Sequence, residues 1–495
     1  MNQAREHNAG RKTRNLRQQI GLWLGLSVFV LMLLLPAPGD LSTAAWSVAA
    51  LGALMAIWWI SEAIPIPATA LLPIVALPLL GVGSIGQATA PYANPLIFLF
   101  MGGFMIALAM QRWGLHKRIA LTIVSAIGTS PQAIVLGFMV AAAFLSLWVS
   151  NTATALMMLP IALSVVKLAP VPADASAGQA QSIKAFGITL VLGIAYACNI
   201  GGVGTLIGTP PNALMAAYML ESHQVTIGFA EWMMVGLPLV IVGLPLIFWL
   251  LIKVLFPISL THLPGGDDLI TEQRRALGPI SRQELGVAVV FIATASLWIS
   301  RPWLQAWVPG VSDAGIAIGA ALALFLIPAG PRHRGGLLDW DSVRDLPWGI
   351  LILFGGGLSL ASAIGQTGLD EAIGQLVLVL GTWPTVLLLG LAVVLVILLT
   401  EVTSNTATAA AFLPVLGAAA IGLGHDPLLF AAPAAIAASC AFMLPVATPP
   451  NAVVYGSGLL TVPMMVRAGI WLNLLFAVLI VIVAYTLMGW VFGVQ

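Results

Sequence analysis

Charged side chains are scarce in this sequence of 495 residues: they make up 7% of it, while 60% of the residues are hydrophobic. About a quarter of the residues of a soluble globular domain are charged. Cysteine is scarce as well, because Cys198 and Cys440 are the only two and both lie in apolar stretches. A disulfide framework is therefore not indicated, and we expect both to be small packing residues. The composition excludes a soluble domain and predicts a polytopic membrane protein.

Basic side chains and histidines are missing from the middle of every apolar stretch, since the six histidines occupy positions 7, 116, 223, 262, 333 and 425. A membrane-embedded hydrolase or transferase would need a nucleophile with a base, or a metal cluster, and neither is indicated. A channel would show charged rings, which are not readable here. The glycine-rich run 202–208 lacks the spacing of a phosphate cradle, and nucleic acid is not expected as a partner. We expect that the chain is not an enzyme.

The sequence contains repeated motifs, which we call phrases, and the first of them occurs twice. Ser-Asn-Thr-Ala-Thr-Ala occupies 150–155 and again 404–409, and after three further residues each copy is followed by Leu-Pro, at Leu159-Pro160 and Leu413-Pro414. A second phrase, Thr-Pro-Pro-Asn-Ala, begins at Thr209 and again at Thr448. The same motifs in the same order indicate that one half of the chain repeats the other.

Apolar stretches of about 20 residues are long enough to cross the hydrocarbon core of a membrane. The sequence predicts about eleven such transmembrane helices in an all-α polytopic membrane protein: 19–36, 43–60, 66–82, 95–111, 186–220, 232–256, 284–300, 313–329, 346–365, 428–466 and 468–491. The basic tail before the first stretch lacks a small-residue cleavage site, so we interpret that stretch as a membrane helix and not as a removed signal peptide.

Both phrases predict breaks in these helices. The stretches 132–168 and 384–423 have Ser-Asn-Thr in the middle, where such side chains favour helix caps, and we predict that each is a re-entrant hairpin. The Thr-Pro-Pro-Asn phrases lie inside 186–220 and 428–466, and proline removes a backbone donor and excludes helical geometry from the residue before it. Broken backbone at membrane depth is tolerated where it lines a cavity, so we expect the four broken points to face one another.

The positions of the basic residues predict how the chain is oriented in the membrane. With a cytoplasmic N-terminus and hairpins that return to their own side, only Arg301 of the 19 basic residues falls outside. The two hairpins then enter from opposite faces, which is the inverted-repeat plan of secondary transporters. We predict a multi-pass protein of the inner, or plasma, membrane.

The broken points indicate a site for anions and cations together. A hairpin tip presents a helix N-terminus, with free N–H groups and a positive dipole end, to an anion. Hydroxyl and carbonyl oxygens suit a small cation. Because a bare anion in a low-dielectric site is costly and no basic side chain is available, bound cations are the simplest compensation. The residues therefore favour cation-coupled anion transport over proton relay.

The paired Ser-Asn-Thr and Thr-Pro-Pro-Asn motifs in an inverted repeat resemble the divalent anion/sodium symporter family of dicarboxylate, citrate and sulfate carriers. The resemblance implies Na+ as the coupling ion, in two sites: Ser146, Ser150, Asn151 and Gly208 for the first, and Thr400, Ser404, Asn405 and Ala447 for the second. It implies that the substrate meets Asn151, Thr152, Thr209, Asn405, Thr406, Thr448 and Pro449.

The resemblance also implies a homodimer in the lipid bilayer, with a fixed scaffold and a transport domain that moves as an elevator. The corresponding parts would be a cytoplasmic basic tail (1–18), scaffold helices of the two repeats (19–131 and 284–383), a cytoplasmic inter-repeat loop (257–283) and the two parts of the transport domain (132–256 and 384–495). We expect sodium-driven uptake of C4-dicarboxylates such as succinate, malate or fumarate. A sodium-independent dicarboxylate exchanger, or a citrate or sulfate carrier on the same fold, remain alternatives.

One acidic residue stands close to a motif inside the apolar core. Glu401 precedes the second Ser-Asn-Thr, and its counterpart in the first repeat is Leu147. A carboxylate within the membrane is a functional candidate. The alternative, which we favour slightly, is a structural acid that hydrogen-bonds to backbone near the second hairpin tip.

Overall fold

The protein is described by a computed structural model that covers residues 15–168, 176–260, 266–331, 333, 335–378, 381 and 383–494. Over these ranges the secondary structure is helical, and the β-type pairing is a single bridge between Pro328 and Gly336. The predicted all-α fold is therefore confirmed.

The described ranges contain the following α-helices: α1 (Leu16–Leu34), α2 (Thr43–Ser61), α3 (Ile66–Thr69), α4 (Leu72–Leu79), α5 (Ile85–Thr89), α6 (Pro95–Arg112), α7 (Leu115–Ile127), α8 (Pro131–Ser146), α9 (Asn151–Lys167), α10 (Ala177–Val203), α11 (Pro210–His223), α12 (Phe229–Trp249), α13 (Gly266–Ala276), α14 (Arg282–Leu304), α15 (Asp313–Leu326), α16 (Trp340–Val343), α17 (Trp348–Thr367), α18 (Leu369–Val377), α19 (Thr385–Thr400), α20 (Asn405–Gly422), α21 (Leu428–Ser439), α22 (Pro449–Tyr455), α23 (Val462–Val483) and α24 (Gly489–Phe492). Within these ranges, nine helical segments are long and apolar enough to cross a membrane. The figure of about eleven spans stays a prediction.

Each Ser-Asn-Thr phrase separates two short helices. In the first repeat α8 has 16 residues and ends at Ser146, and α9 begins at Asn151 with Ser150 as its cap, because the Ser150 side chain accepts a hydrogen bond from the backbone N–H of Ala153. In the second repeat α19 ends and α20 begins at the same places of the motif. A helix of 16 residues is about 24 Å long, which is short of a typical hydrocarbon core. The first arms, α8 and α19, therefore have the length expected of hairpin arms, whereas α20, with 18 residues, is one of the nine segments long enough to cross a membrane.

Each Thr-Pro-Pro-Asn phrase lies at a helix break, as predicted. Helix α10 ends at Val203 and α11 begins at Pro210, while α21 ends at Ser439 and α22 begins at Pro449. The threonines before the prolines are extended, with φ of −144° at Thr209 and −138° at Thr448. The proline ring clashes with a helical residue before it, so the chain must restart its helix at the proline.

Other predicted boundaries differ from the structure. The stretch 66–82 is two short helices, α3 and α4, because several prolines interrupt it. The stretch 428–466 ends with α22 at Tyr455, and the last long helix already begins at Val462. The inter-repeat loop 257–283 contains α13, whose polar composition gives no apolar signal. The amphipathic helices α7 and α18 were too short and too polar to be predicted as spans.

The two broken helices form the centre of the molecule. All residues of α10 from Ala185 to its end are buried, and so is every residue of α21.

Helices α7 and α18 occupy equivalent places in the repeats, and each follows a left-handed glycine, Gly114 with φ 76° and Gly368 with φ 73°. Glycine takes this conformation without the penalty that a Cβ would cause. The repeat therefore extends from the motifs to the connecting helices.

Candidate functional site

The four broken points line one cavity of about 880 Å³. Eleven of the thirteen residues predicted for the site lie in its wall: Ser150, Asn151, Thr152, Gly208, Thr209, Ser404, Asn405, Thr406, Ala447, Thr448 and Pro449. Residues separated by up to three hundred positions in the chain are thus brought to one place. This arrangement is the one expected from facing breaks.

The two remaining predicted residues, Ser146 and Thr400, are behind the hairpin tips. Both have 0% exposed surface and stand at the last position of the first arm of their hairpin. They do not border the cavity, so they can contact a small ion beneath the tip but not a substrate in the cavity. Their position fits the cation role and not the anion role.

The first predicted cation site contains buried oxygens without strong hydrogen-bond donors. Among the described residues, Asn151 Oδ1 has no hydrogen-bond donor, and Ser146 Oγ has only the weakly polar thiol of Cys198 beside it. Backbone oxygens crowd the same spot: a Cβ built on Gly208 would lie 2.4 Å from the Gly202 carbonyl oxygen and 2.9 Å from that of Ser146. A buried acceptor without a donor is unfavourable unless something compensates it. These hard oxygens at an unwound helix therefore fit a sodium ion, and any side chain at Gly208 would fill their cradle.

The second predicted cation site is arranged differently. Thr400 Oγ1 lies 2.7 Å from Asn405 Oδ1 and also 2.7 Å from the carbonyl oxygen of Ala438. A hydroxyl has one proton, so it cannot make a full hydrogen bond to both acceptors. Ala447 lines the cavity, and Ala438 adds a carbonyl that the sequence did not predict. Whether Ala447 binds a cation stays a prediction.

The polar wall of the cavity suits an anion. Helices α9 and α20 begin at the cavity, and the first N–H groups of a helix are free donors at its positive end. The described residues that line the cavity include no lysine, arginine or histidine. The charge of a bound anion would therefore be balanced by helix ends, amides, hydroxyls and bound cations.

The opposite wall is apolar and leads to an acidic mouth. Phe100, Phe104 and Leu353, from α6 and α17, face the motifs. The mouth includes Glu62 and Asp345, next to the end of α2 and shortly before the start of α17. Both lie at the face where the sequence places most basic residues.

Two polar residues of the site were not predicted from the sequence. Asn199 on α10 lines the cavity and donates its amide to the second-repeat break, and Ser439 at the end of α21 lies 3.3 Å from Thr209 through their side-chain oxygens. They stand ten and nine residues before the two threonines of the Thr-Pro-Pro-Asn phrases. A polar residue nine or ten positions before each phrase was the signal that could have found them.

The role of Glu401 is structural in this arrangement. Its carboxylate accepts hydrogen bonds from the backbone N–H groups of Phe442, Met443 and Leu444, at 2.8 to 3.0 Å, and from Asn473 Nδ2 at 2.8 Å. These N–H groups belong to the unwound segment between α21 and α22. The interpretation as an acid bound to backbone near the second hairpin is confirmed.

Comparisons with known proteins agree with this architecture. Residues 16–494 match the family described as the sodium:sulfate symporter transmembrane region. The chain is 45% identical over 490 residues to the sodium-dependent dicarboxylate transporter SdcS of Staphylococcus saprophyticus, covering 98% of this chain and 94% of the relative. It is 45% identical over 483 residues to SdcS of Staphylococcus aureus strain USA300, covering 97% and 92%.

Two solved structures share the fold at low identity. The Alcanivorax borkumensis YdaH transporter has a TM-score of 0.60 and 16% identity, with 94% of this chain and 98% of that one covered. MtrF of Neisseria gonorrhoeae, from a class of antimetabolite efflux pumps, has a TM-score of 0.58 and 13% identity, with 100% and 98% covered. At these identities the likeness concerns the fold alone.

Proposed function

The chain belongs to the sodium:sulfate symporter family, the divalent anion/sodium symporters that its motifs resemble, and from this membership we propose that it imports C4-dicarboxylates with sodium. The observation that carries the proposal is the single cavity at which both repeats place their hairpin tips and helix breaks. Both SdcS relatives are named sodium-dependent dicarboxylate transporters. Both names are those of transporters, as expected for a chain that is not an enzyme.

Sodium as the coupling ion is supported by the buried oxygens of the first cation site. Ser146 Oγ and Asn151 Oδ1 would be held at a cost without a positive charge beside them. Sodium would supply that charge and, with it, the attraction for a dianion at the same tip. Asn151 would then serve the cation with its oxygen and the substrate with its N–H groups, which links the binding of the two.

A substrate with two carboxylates is supported by the symmetry of the polar wall. One repeat contributes Asn151, Thr152 and Thr209, and the other contributes their counterparts Asn405, Thr406 and Thr448. Each half offers the start of a hairpin helix together with hydroxyl and amide donors. A short dicarboxylate such as succinate, malate or fumarate would place one carboxylate against each half.

An elevator movement is supported by the contrast between the two walls of the cavity. The scaffold wall is apolar, and two glycines of the same scaffold helices face the predicted transport domain closely: a Cβ on Gly103 would meet Ile207 at 3.1 Å, and one on Gly357 would meet Ala410 at 3.4 Å. Apolar contacts of this kind favour sliding. The mouth lies at the predicted cytoplasmic face, so this conformation would be inward-open. The homodimer is proposed from the family alone.

The proposed sodium-coupled uptake is tested by measuring the uptake of radiolabelled succinate into proteoliposomes that contain the purified protein. An inward sodium gradient is compared with an equal potassium gradient, with empty and with succinate-loaded interiors. We expect uptake into empty vesicles that requires sodium. Uptake that is indifferent to sodium and requires internal succinate would identify an exchanger and contradict the proposal.

The substrate class is tested in the same vesicles by competition. Unlabelled malate and fumarate are expected to inhibit succinate uptake at lower concentrations than citrate or sulfate. Stronger inhibition by citrate or sulfate would mean that the protein is a transporter of a different anion. The gradient experiment therefore tests the coupling to sodium, and the competition experiment tests the substrate selectivity.

A further inference from the structure

Asn199 belongs to the first repeat but makes its hydrogen bonds with the second. Its Nδ2 lies 3.2 Å from the carbonyl oxygen of Ala441, 3.2 Å from Thr448 Oγ1 and 3.3 Å from Asn451 Oδ1. The side chain is 1% exposed and lines the cavity. It therefore connects the end of α10 to the break before α22.

The direction of these hydrogen bonds is determined by their partners. The Ala441 oxygen can only accept, so the amide nitrogen of Asn199 must face it. Asn451 donates its own Nδ2 to the carbonyl oxygens of Ala441 and Leu444, both at 3.1 Å, and so turns Oδ1 towards Asn199. A flipped amide at Asn199 would set oxygen against oxygen at two places. The Asn199 amide has two hydrogens for these three acceptors, and the Ala441 oxygen already accepts from Asn451, so we assign the two hydrogens to Thr448 Oγ1 and Asn451 Oδ1. With this assignment the network has one consistent polarity.

This polarity determines whether the Thr448 hydroxyl accepts or donates hydrogen bonds. Its Oγ1 accepts from Asn199 Nδ2 and from the backbone N–H of Asn451, both at 3.2 Å. A hydroxyl has two acceptor positions and one proton. With both acceptor positions used inside the protein, the proton is left to be donated elsewhere, and Thr448 lines the cavity.

We propose that Asn199 is a positioning residue that makes Thr448 a fixed hydrogen-bond donor to a carboxylate of the substrate. This rests on the proposed function, because it assumes that an organic dianion occupies the cavity. A carboxylate only accepts hydrogen bonds, so a hydroxyl whose acceptor positions are already filled binds it without reorientation. Asn199 acts on the substrate through Thr448.

The matching threonine of the first repeat is held differently. Thr209 Oγ1 pairs with Ser439 Oγ at 3.3 Å, where either atom can donate, and the Thr209 side chain does not cap α11. Its hydroxyl is free to donate to Ser439 in place of the substrate. The two halves of the site are therefore unequal, and Thr448 is the stronger anion ligand.

The test compares single and double variants of the full-length transporter in proteoliposomes. Asn199→Ala is expected to raise the KM for succinate about tenfold or more, the size of a hydrogen bond to a charged group, while the half-saturating sodium concentration changes less than twofold. Thr448→Val gives a similar rise, and the double variant is no worse than Thr448→Val alone. Thr209→Val is expected to raise the KM for succinate less, and in the double variant with Asn199→Ala the two increases in KM should multiply.

Two outcomes would overturn the proposal. One is a wild-type KM in Asn199→Ala, and the other is a double variant of Asn199→Ala and Thr448→Val in which the two increases in KM multiply.

A binding measurement covers the case in which the alanine variant does not fold. Asn199→Leu keeps the branched side-chain shape but has neither the donor nitrogen nor a charge that would repel the substrate. We expect it to retain the rise in melting temperature caused by sodium and to lose the further rise caused by succinate. A wild-type rise with succinate contradicts the role of Asn199.

The matched control is Thr189→Val, which alters another fully buried polar side chain of α10 and is expected to leave KM unchanged. The same variants are compared with malate, citrate and sulfate, so that the role of Asn199 is measured with whichever anion stabilises the wild type. A wild type stabilised by no dianion contradicts the proposed function itself. A wild type that is stabilised by a dianion, together with an Asn199→Leu variant that is stabilised to the same extent, contradicts only the role of Asn199.

Discussion

Met443 donates its backbone N–H to both carboxylate oxygens of Glu401, at 2.9 Å and 3.0 Å. The neighbouring N–H groups of Phe442 and Leu444 and the Asn473 amide also point at this carboxylate. Every one of these partners is a donor, and both oxygens of the carboxyl group accept from them. These hydrogen bonds hold the unwound segment of the second repeat to its hairpin tip.

Glu401→Gln is expected to destabilise the protein by about 2 kcal/mol, because the glutamine NH2 faces N–H donors that lose their acceptor. The apparent melting temperature of the purified protein should fall and succinate uptake should be impaired. Glu62→Gln is the control, since Glu62 is an exposed residue at the mouth of the cavity. An unaltered melting temperature in Glu401→Gln would show that the carboxylate does not hold this segment.

Ser146→Ala is expected to raise the half-saturating sodium concentration several-fold, because it removes one of the buried oxygens of the first cation site. The KM for succinate at saturating sodium should change little, since Ser146 does not border the cavity. Sodium titrations of uptake measure both quantities. A rise in the KM for succinate without a change in the half-saturating sodium concentration would contradict the assignment of Ser146 to the cation site.

Asn151→Ala and Asn405→Ala are each expected to abolish uptake, because each amide would serve a cation and the substrate together. Both side chains line the cavity at the first position of a hairpin helix. Uptake by the purified variants in proteoliposomes is the measurement, after the folded state is checked by their melting curves. Normal transport by either folded variant would refute the assignment of the site.

Thr152→Val is expected to weaken substrate binding more than sodium binding. Thr152 lines the cavity, and valine keeps its shape while it removes the hydroxyl. The loss of a hydrogen bond to a carboxylate predicts a rise of about tenfold in the KM for succinate. If only the sodium dependence changed, the division between anion and cation ligands would be wrong.

Arg17→Gln is expected to reduce the population of the conformation described here by about two- to tenfold. Arg17 donates to the carbonyl oxygens of Ile60 at the end of α2 and Val402 in the second hairpin, the latter at 2.9 Å. An exposed hydrogen bond contributes about 0.5–1.5 kcal/mol, and this one must break if the hairpin moves past α2.

A cysteine at Val446, an exposed residue at the cavity, reports that population through its rate of labelling by an impermeant thiol reagent. The native cysteines are fully buried, so the background is low. Lys167→Gln, which removes the same charge elsewhere on the predicted cytoplasmic face, should leave the rate unchanged. Equal rates in both variants would mean that Arg17 does not hold the hairpin.

Much of the site was predictable because it is built from backbone breaks. Asn151 and Asn405 follow hairpin turns, and Thr209 and Thr448 precede prolines, so local chemistry alone places them at helix starts. Asn199 was not predictable in this way. It lies within a continuous helix, and its importance comes from the neighbours that the second repeat supplies.

By itself the sequence determined the membrane class, the repeated motifs and the four helix breaks, because hydropathy, proline geometry and capping depend on neighbours in the chain. Only the tertiary structure decided which groups bind one another: Asn199 meets Thr448 across 249 positions, and Glu401 meets Met443 across 42. Such pairs depend on how the helices pack, and packing brings together buried donors and acceptors that no local pattern connects.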